Sequence, residues 1–321
     1  MTWNQEPYLG KNPSLVPISN SEIQEFKTCR RAWWLKYYRG LSRKDKEVTG
    51  PLPLGTRVHN SLEAFYKDGK NPVDAYRDLL KVDAVRFAQS KEVNDEAKVK
   101  KFDSEAELGR IMVEGYMEWR EENNVDDRLE VIEVEKKVSA VLLDGRVELQ
   151  GKTDMKVRDR LDDARLIMDH KTAASFDVYH KNSHMSEQLL LYVMLEKMQD
   201  GDDTPVEGGI YNLLRKVKRG PSAKPPFYDR ITVRFNDTAM SSFWTRVNGE
   251  LRDMMSVRDA LDAGADPQFV AYPTPTKDCS WRCPFFHACF MFDDGSAAEA
   301  WLENFTEVSD PYARYEENDG E

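Results

Sequence analysis

The apolar positions of this chain recur first with a helical period and then with the two-residue period of strands. Ser21 followed by Gln24 reads as a capping box that opens a helix running to about Arg39. A second helix is predicted over residues 55–66, and two polar ones over 72–90 and 96–121. Residues 130–140 and 146–158 are instead rich in Val, Leu and Ile with partial alternation, and Asp144-Gly145 between them is a tight-turn signal. A further strand is predicted at 165–169, a helix at 186–198, strands at 209–214 and 231–235, and a helix at 238–261. Beyond lie a loop with Pro273 and Pro275 and an acidic tail, expected to be disordered past Asp310. Helices first, then a hairpin-rich centre with an inserted helix, predict an α/β fold in which a mixed central sheet is flanked by helices.

Length and charge add modest constraints. At 321 residues the chain exceeds the size at which one core usually stops growing. Four stretches are expected: an N-terminal helical region (1–125), a core (126–265), a C-terminal cysteine loop (266–295) and an acidic tail (296–321). No apolar run approaches the length that spans a bilayer, and the first residues lack a leader pattern, so a soluble, cytoplasmic protein is expected. The net charge of −11 argues against a nucleic-acid partner only until its distribution is considered. Residues 27–46 hold eight Lys or Arg and one acid, and 215–224 hold five and none. A protein that binds nucleic acid only transiently needs no more than a local basic groove.

The four cysteines are Cys29, Cys279, Cys283 and Cys289, three of them inside eleven residues and the fourth 250 residues upstream. Such concentration points to a metal site. Four thiolates satisfy an iron–sulfur cubane, and the proline after Cys283 is common in cluster loops. Zinc is the rival, held by four thiolates or by three plus His287. Its sites more often pair two Cys-x-x-Cys knuckles, so the x3 and x5 gaps favour the cluster.

Between residues 55 and 192 lies an ordered set of polar residues. His59 sits early on a predicted helix, Asp154 ends a Gly-x-x-Asp on the first strand after the hairpin, and Asp169-His-Lys171 ends the next strand. Gln188 and Tyr192 share one helix face at i,i+4. Phosphodiester hydrolysis needs an activated water and relief of charge at phosphorus. Asp154 and Asp169 offer the hard oxygens that Mg2+ or Mn2+ prefers, and a neutral His59 can complete the shell. Strand alternation puts Lys171 on the side of Asp169, where it can orient the water or meet developing negative charge. Each piece alone is an ordinary turn, charge pair or cap. The ordered set is the signal.

That set resembles the RecB-like branch of the PD-(D/E)XK nuclease superfamily. One cysteine ahead of the histidine and three near the C-terminus are similar to the CRISPR-associated "Cas-four" exonucleases and their phage-encoded relatives. The resemblance spans Cys29 to Cys289. It implies that His59, Asp154 and Asp169 bind the catalytic metal, that Lys171 is catalytic and that Gln188 and Tyr192 line the DNA path. It further implies degradation of single-stranded DNA, often from the 5′ end, a [4Fe–4S] cluster, and recombination or CRISPR-adaptation partners. The x3 gap from Cys279 to Cys283 and the long helical stretch 72–121 depart from a minimal member.

Ahead of the set, Arg30, Arg31, Lys36 and Arg39 interleave with Trp33, Trp34, Tyr37 and Tyr38. Some of the arginines there are expected to meet DNA, and the aromatics either stack on bases or form i,i+4 core pairs. Residues 215–219 read as a solvated hairpin tip, with DNA contact as the second choice. The rival to a nuclease is a catalytically idle iron–sulfur or zinc protein of the same fold that binds DNA or a partner. The absence of a Gly-x-x-x-x-Gly-Lys motif places any motor in a separate chain.

Overall fold

Strand β1 (Val16–Ser19) feeds directly into helix α1 (Asn20–Thr28) in a computed structural model that describes residues 15–44, 48–200 and 206–308. The cap of α1 is Ser19, still extended at φ −112°, whose Oγ accepts the Glu22 N–H at 3.3 Å. The expected box at Ser21 and Gln24 is therefore displaced two residues upstream, because the chain arrives as a strand that the short run Val-Pro-Ile-Ser did not signal. Nor does one helix continue to Arg39. Cys29 leaves helical geometry at φ −161° and ψ 112°, a short helix α2 follows (Arg30–Trp33), and a π-helical turn covers Trp34–Tyr38.

The remaining elements are β2 (Leu41–Arg43), α3 (Pro51–Asp68), α4 (Pro72–Gln89) and α5 (Glu96–Glu122). Then come β3 (Leu129–Leu142), β4 (Val147–Asp159), β5 (Arg165–Ala173), α6 (Asp177–Asn182), α7 (Glu187–Asp200), β6 (Val206–Arg215) and β7 (Tyr228–Arg234). The chain continues with α8 (Asp237–Asp262), α9 (Pro267–Val270), α10 (Cys279–Arg282), α11 (Phe286–Asp294), α12 (Ala298–Leu302) and β8 (Phe305–Glu307). The tail past Asp310 lies outside the described residues. No helix among those described is long and apolar enough to cross a membrane.

The chain divides into two units, one of residues 1–46, 139–151 and 241–321, the other of residues 47–138 and 152–240. Each is assembled from separated stretches of chain, and neither coincides with a stretch read from the sequence. In the second unit, β4 pairs antiparallel with β5, β5 parallel with β6, and β6 antiparallel with β7. The sheet is thus mixed, as expected. Leu166, Ile167 and Met168 of β5 are all buried, which marks it as a central strand. Helix α7 packs on β5 and β6 through the apolar run Leu189–Leu195. Helix α3 starts at Pro51, whose missing N–H costs nothing there, and stops at Gly69 in the left-handed region at φ 67°. Its stripe Leu54, Val58 and Leu62 packs with Tyr76, Met112, Val113 and Tyr116.

In the first unit, β1 pairs parallel with residues Val147 to Gln150, and β2 pairs antiparallel with β8. Trp33 and Trp34 are buried, so these two aromatics pack in the core. The indole of Trp33 donates to Glu22 Oε1 at 2.8 Å, which satisfies the buried N–H.

Candidate active site

Four elements of the second unit bring the acidic site together. Strand β5 runs past its expected end at Asp169 to Ala173, so Asp169 and Lys171 project from one side of a continuous strand. Their carboxylate and ammonium meet at 2.7 Å. On β4, Asp154 follows in register from the Met155–Met168 pair, and its Oδ2 accepts the backbone N–H of His170 at 2.7 Å. Helix α3 supplies His59, whose Nε2 lies 2.6 Å from the same Asp154 oxygen. One turn earlier on α3, Gly55 allows the approach, since a Cβ there would stand 3.2 Å from Thr172 Oγ1 of β5. Helix α7 supplies Gln188, whose Nε2 donates to Asp169 Oδ1 at 3.2 Å and to the Tyr192 hydroxyl at 3.1 Å. His59, Asp154, Asp169, Lys171, Gln188 and Tyr192, chosen from sequence, are thus brought together.

The electrostatics follow from burial set against charge. Burial raises Asp154, but the His59 charge and hydrogen bond outweigh it and hold the carboxyl down at about 2. Burial also raises Asp169, and there it prevails: Lys171 opposes it, the Asp154 charge assists, and the group sits at about 6. His59 is lowered by burial yet carried up to about 9 by Asp154. Burial pulls Lys171 down as well, but Asp169 and Asp154 more than offset it and keep the ammonium charged. Burial moves Tyr192 well above the ordinary phenol range, so its hydroxyl stays protonated.

Two members escaped sequence reasoning. Glu135 of β3 is 7% exposed, and its Oε1 lies 3.7 Å from His59 Nδ1. It sits at φ 56°, the left-handed region that a side chain rarely adopts, and such residues concentrate at functional sites. Among the described residues, His59, Glu135 and Asp154 form a group of donors whose ligand atoms all lie within 4.8 Å of one another. One imidazole and two carboxylates, one of them fully ionised, suit a divalent cation. The second is His170, which burial lowers to about 3, so that its ring is neutral. Its Nδ1 meets Asn212 Nδ2 at 2.9 Å, while Arg230 Nε donates to Asn212 Oδ1 at 2.9 Å and so fixes the amide's orientation. The imidazole proton accordingly sits on Nε2. Tyr66 stacks on this ring, with centroids 5.7 Å apart. No spacing rule marks either residue in the sequence.

A cavity of about 450 Å3 opens on the site, lined among others by Pro51, Leu52, His59, His170, Lys171 and Lys216. A larger hollow of about 550 Å3 between α5 and the segment leading into β7 carries none of the site residues.

The cysteines all fall in the first unit, free of disulfides and partly buried. The backbone N–H of Thr274 donates to Cys29 Sγ at 3.4 Å and that of Thr276 to Cys279 Sγ at 3.2 Å. Burial pushes Cys283 up to about 11, eased by the Phe285 N–H and reinforced by the charges of Cys29 and Cys289. Arg31 reaches Cys289 Sγ at 3.8 Å and its carbonyl at 2.9 Å, and pairs with Asp293 at 2.9 Å. Arg31 is 3% exposed, and Arg30 pairs with Asp253 at 2.5 Å. His287 packs against Trp301, with ring centroids 5.8 Å apart.

Comparison with known proteins gives a family and similar solved structures. The family profile described as the PD-(D/E)XK nuclease superfamily matches residues 17–290. A crystal structure provisionally named an exonuclease, from Eubacterium rectale, is similar at 12% identity and a TM-score of 0.43, over 76% of this chain and 81% of that one. No curated protein matches the chain. With a match across most of its length and the acidic residues gathered as described, the chain belongs to the PD-(D/E)XK nuclease superfamily.

Proposed function

We propose that this nuclease is a Mg2+- or Mn2+-dependent exonuclease of single-stranded DNA, working 5′ to 3′, with a structural [4Fe–4S] cluster on Cys29, Cys279, Cys283 and Cys289. The observation that carries the catalytic part is the neighbouring pair Asp154 and Asp169, one ionised and the other held near 6. Two buried carboxylates resist joint ionisation, and a divalent cation bound there would remove the conflict. His59, Asp154 and Asp169 would hold that cation, with Glu135 as a further donor. When bound, it lowers the pKa of a water and offsets phosphate charge.

The protein's own groups do the rest. Lys171, kept charged, faces the Asp169 carboxylate, from where it orients the attacking water and meets the negative charge that builds on the phosphate. Gln188 fixes the Asp169 rotamer, and Tyr192 fixes Gln188. Both are partly or fully buried, so they act on DNA only at the floor of its path. His170 holds Asp154 through its backbone N–H while its ring is clamped by Asn212 and Tyr66.

The cluster reading is supported by donors aimed at the sulfurs of Cys29, Cys279 and Cys289, the arrangement that steadies thiolates around a cluster. In it, Arg31 braces the cysteine loop, and Arg30 contacts DNA only if it leaves Asp253. Single-strand preference and 5′ polarity rest on the resemblance of the motif set.

Anaerobically purified protein tests both parts. Single strands labelled at one end or the other should lose the 5′ label first in Mg2+ or Mn2+, while duplex resists. The same preparation should be brown and hold roughly four irons per chain. Zinc in place of iron, or label lost first from the 3′ end, would overturn the corresponding half.

A further inference from the structure

The cavity over the acidic site holds a cation to which catalysis, as described above, gives no task. Lys216 follows the last residue of β6, and its N–H donates to the Ala173 carbonyl at 2.7 Å, so that it continues the β5–β6 pairing beyond Lys171. It lines the same cavity as His59 and Lys171. His59 is held by Asp154 and Lys171 by Asp169. Among the described residues Lys216 has no carboxylate within ion-pair distance; Glu105 acts on it only as a more distant charge. The first turn of α3 lines the same cavity, with Pro51 and Leu52, the latter 80% exposed. The N-cap of that helix is already met by Glu105, whose Oε2 accepts the Gly50 N–H at 2.7 Å, so the free cation in the cavity, among the described residues, is the lysine.

A cation with no carboxylate at ion-pair distance, beside the reacting centre, is a seat for an anion. We propose that Lys216 binds a phosphate of the DNA strand neighbouring the one to be cut, while the apolar rim at Pro51 and Leu52 accepts that nucleotide's unpaired base. The site positions substrate and takes no part in bond cleavage. This rests on the nuclease reading above, but its test does not depend on turnover.

The probe is a fluorescein-labelled single-stranded oligonucleotide, its binding followed by anisotropy in EDTA across a salt series. The wild-type chain is compared with Lys216→Gln, Lys216→Ala and Lys216→Arg. The neutral variants should weaken binding roughly tenfold, the scale of one charge-assisted contact. Their slope of log affinity against log salt should shrink by about 0.7, one released counter-ion on a single strand. Arginine should restore both. In Mg2+, the neutral variants should raise KM by the same factor and leave kcat within about twofold. Unchanged affinity and salt slope in both neutral variants would overturn the proposal, as would a fall in kcat at constant KM. A wild-type chain that binds through Lys216 but does not cut would overturn the nuclease reading and leave this one standing.

Discussion

Each side chain of the acidic site is gripped by another member of that site, whereas the four cysteines are gripped by their surroundings and by none of one another. Asp154 holds His59, Lys171 holds Asp169, and Gln188 holds Asp169 and Tyr192. Three sulfurs accept from Thr274, Thr276 and Arg31, and Cys283 is pushed up to about 11 by burial and by neighbouring thiolates. The first arrangement is organised by the fold before any ligand arrives. The second, as thiolates, repels itself until something positive fills it. A central strand can pre-set geometry because its backbone is fixed on both sides, and β5 is such a strand. A loop cannot do so, and Cys279 to Cys289 lie on two short helices and the turn between them.

The largest expected effect tests the pre-set site alone. Lys171→Met should lower metal-dependent cleavage by about a hundred- to a thousandfold, the scale of losing one charge-stabilising group. Colour and melting temperature should stay near wild type. A fall in colour would mean that the two sites are not separable as described.

Next is the site that depends on its occupant. Cys289→Ala should bleach the protein and lower its melting temperature by roughly 10 °C, since the loop that the proposed cluster would close spans most of the chain. Cleavage per folded molecule, measured well below the transition, should stay within a few fold of wild type. Full colour and unaltered melting would remove the cluster from Cys289.

Glu135 sharpens the comparison further. If it belongs to the acidic set, Glu135→Gln should raise the Mn2+ concentration needed for half-maximal cleavage by about tenfold, with the maximal rate little changed. An unchanged metal requirement would return it to a role in β3 alone.

The smallest effect is electrostatic. His59 in the folded chain sits at about 9, above its ordinary 6.5, so its pairing with Asp154 stabilises fully below pH 6.5 and is lost as pH rises through 9. Asp154, at about 2, contributes in the opposite sense: its share is present above about 3.8 and is lost as pH falls through 2. In EDTA the melting temperature should therefore fall by a few degrees between pH 6.5 and 9.5. His59→Asn should flatten that fall. Added Mn2+ should stabilise more at pH 9 than at 6.5, because the metal takes the neutral ring. The reverse order would contradict the His59–Asp154 pairing.

How much of this could be read from residues alone differs between the same two regions. Periods of 3.6 and 2 placed α3, α5, β3, β4 and β5 within a few residues, because each buries a regular stripe. His59, Asp154, Asp169 and Lys171 were visible because strand alternation and chain order predict their side of the sheet. Glu135 was not, since its left-handed φ breaks the alternation that would pair it with Glu133. His170 was hidden for another reason: its partners Asn212, Arg230 and Tyr66 are distant in sequence, and only folding brings them round one ring. The cap at Ser19 and the break at Cys29 were missed because a four-residue strand and a π-turn leave no period long enough to recognise. Arg31 looked like a DNA contact in an exposed basic helix. Its position beneath Cys289 depends on a contact 258 residues away.

The central claim is that Asp154, Asp169, Lys171 and His59 act together on a divalent cation to cut DNA. Labelled single-stranded DNA incubated with wild type or Asp169→Ala, each in Mn2+ and in EDTA, tests it most directly. The account predicts cleavage by wild type in Mn2+ alone, with at least about a thousandfold loss in the variant although it folds and keeps its colour. Cleavage by Asp169→Ala at the wild-type rate, or cleavage that EDTA does not stop, would contradict it.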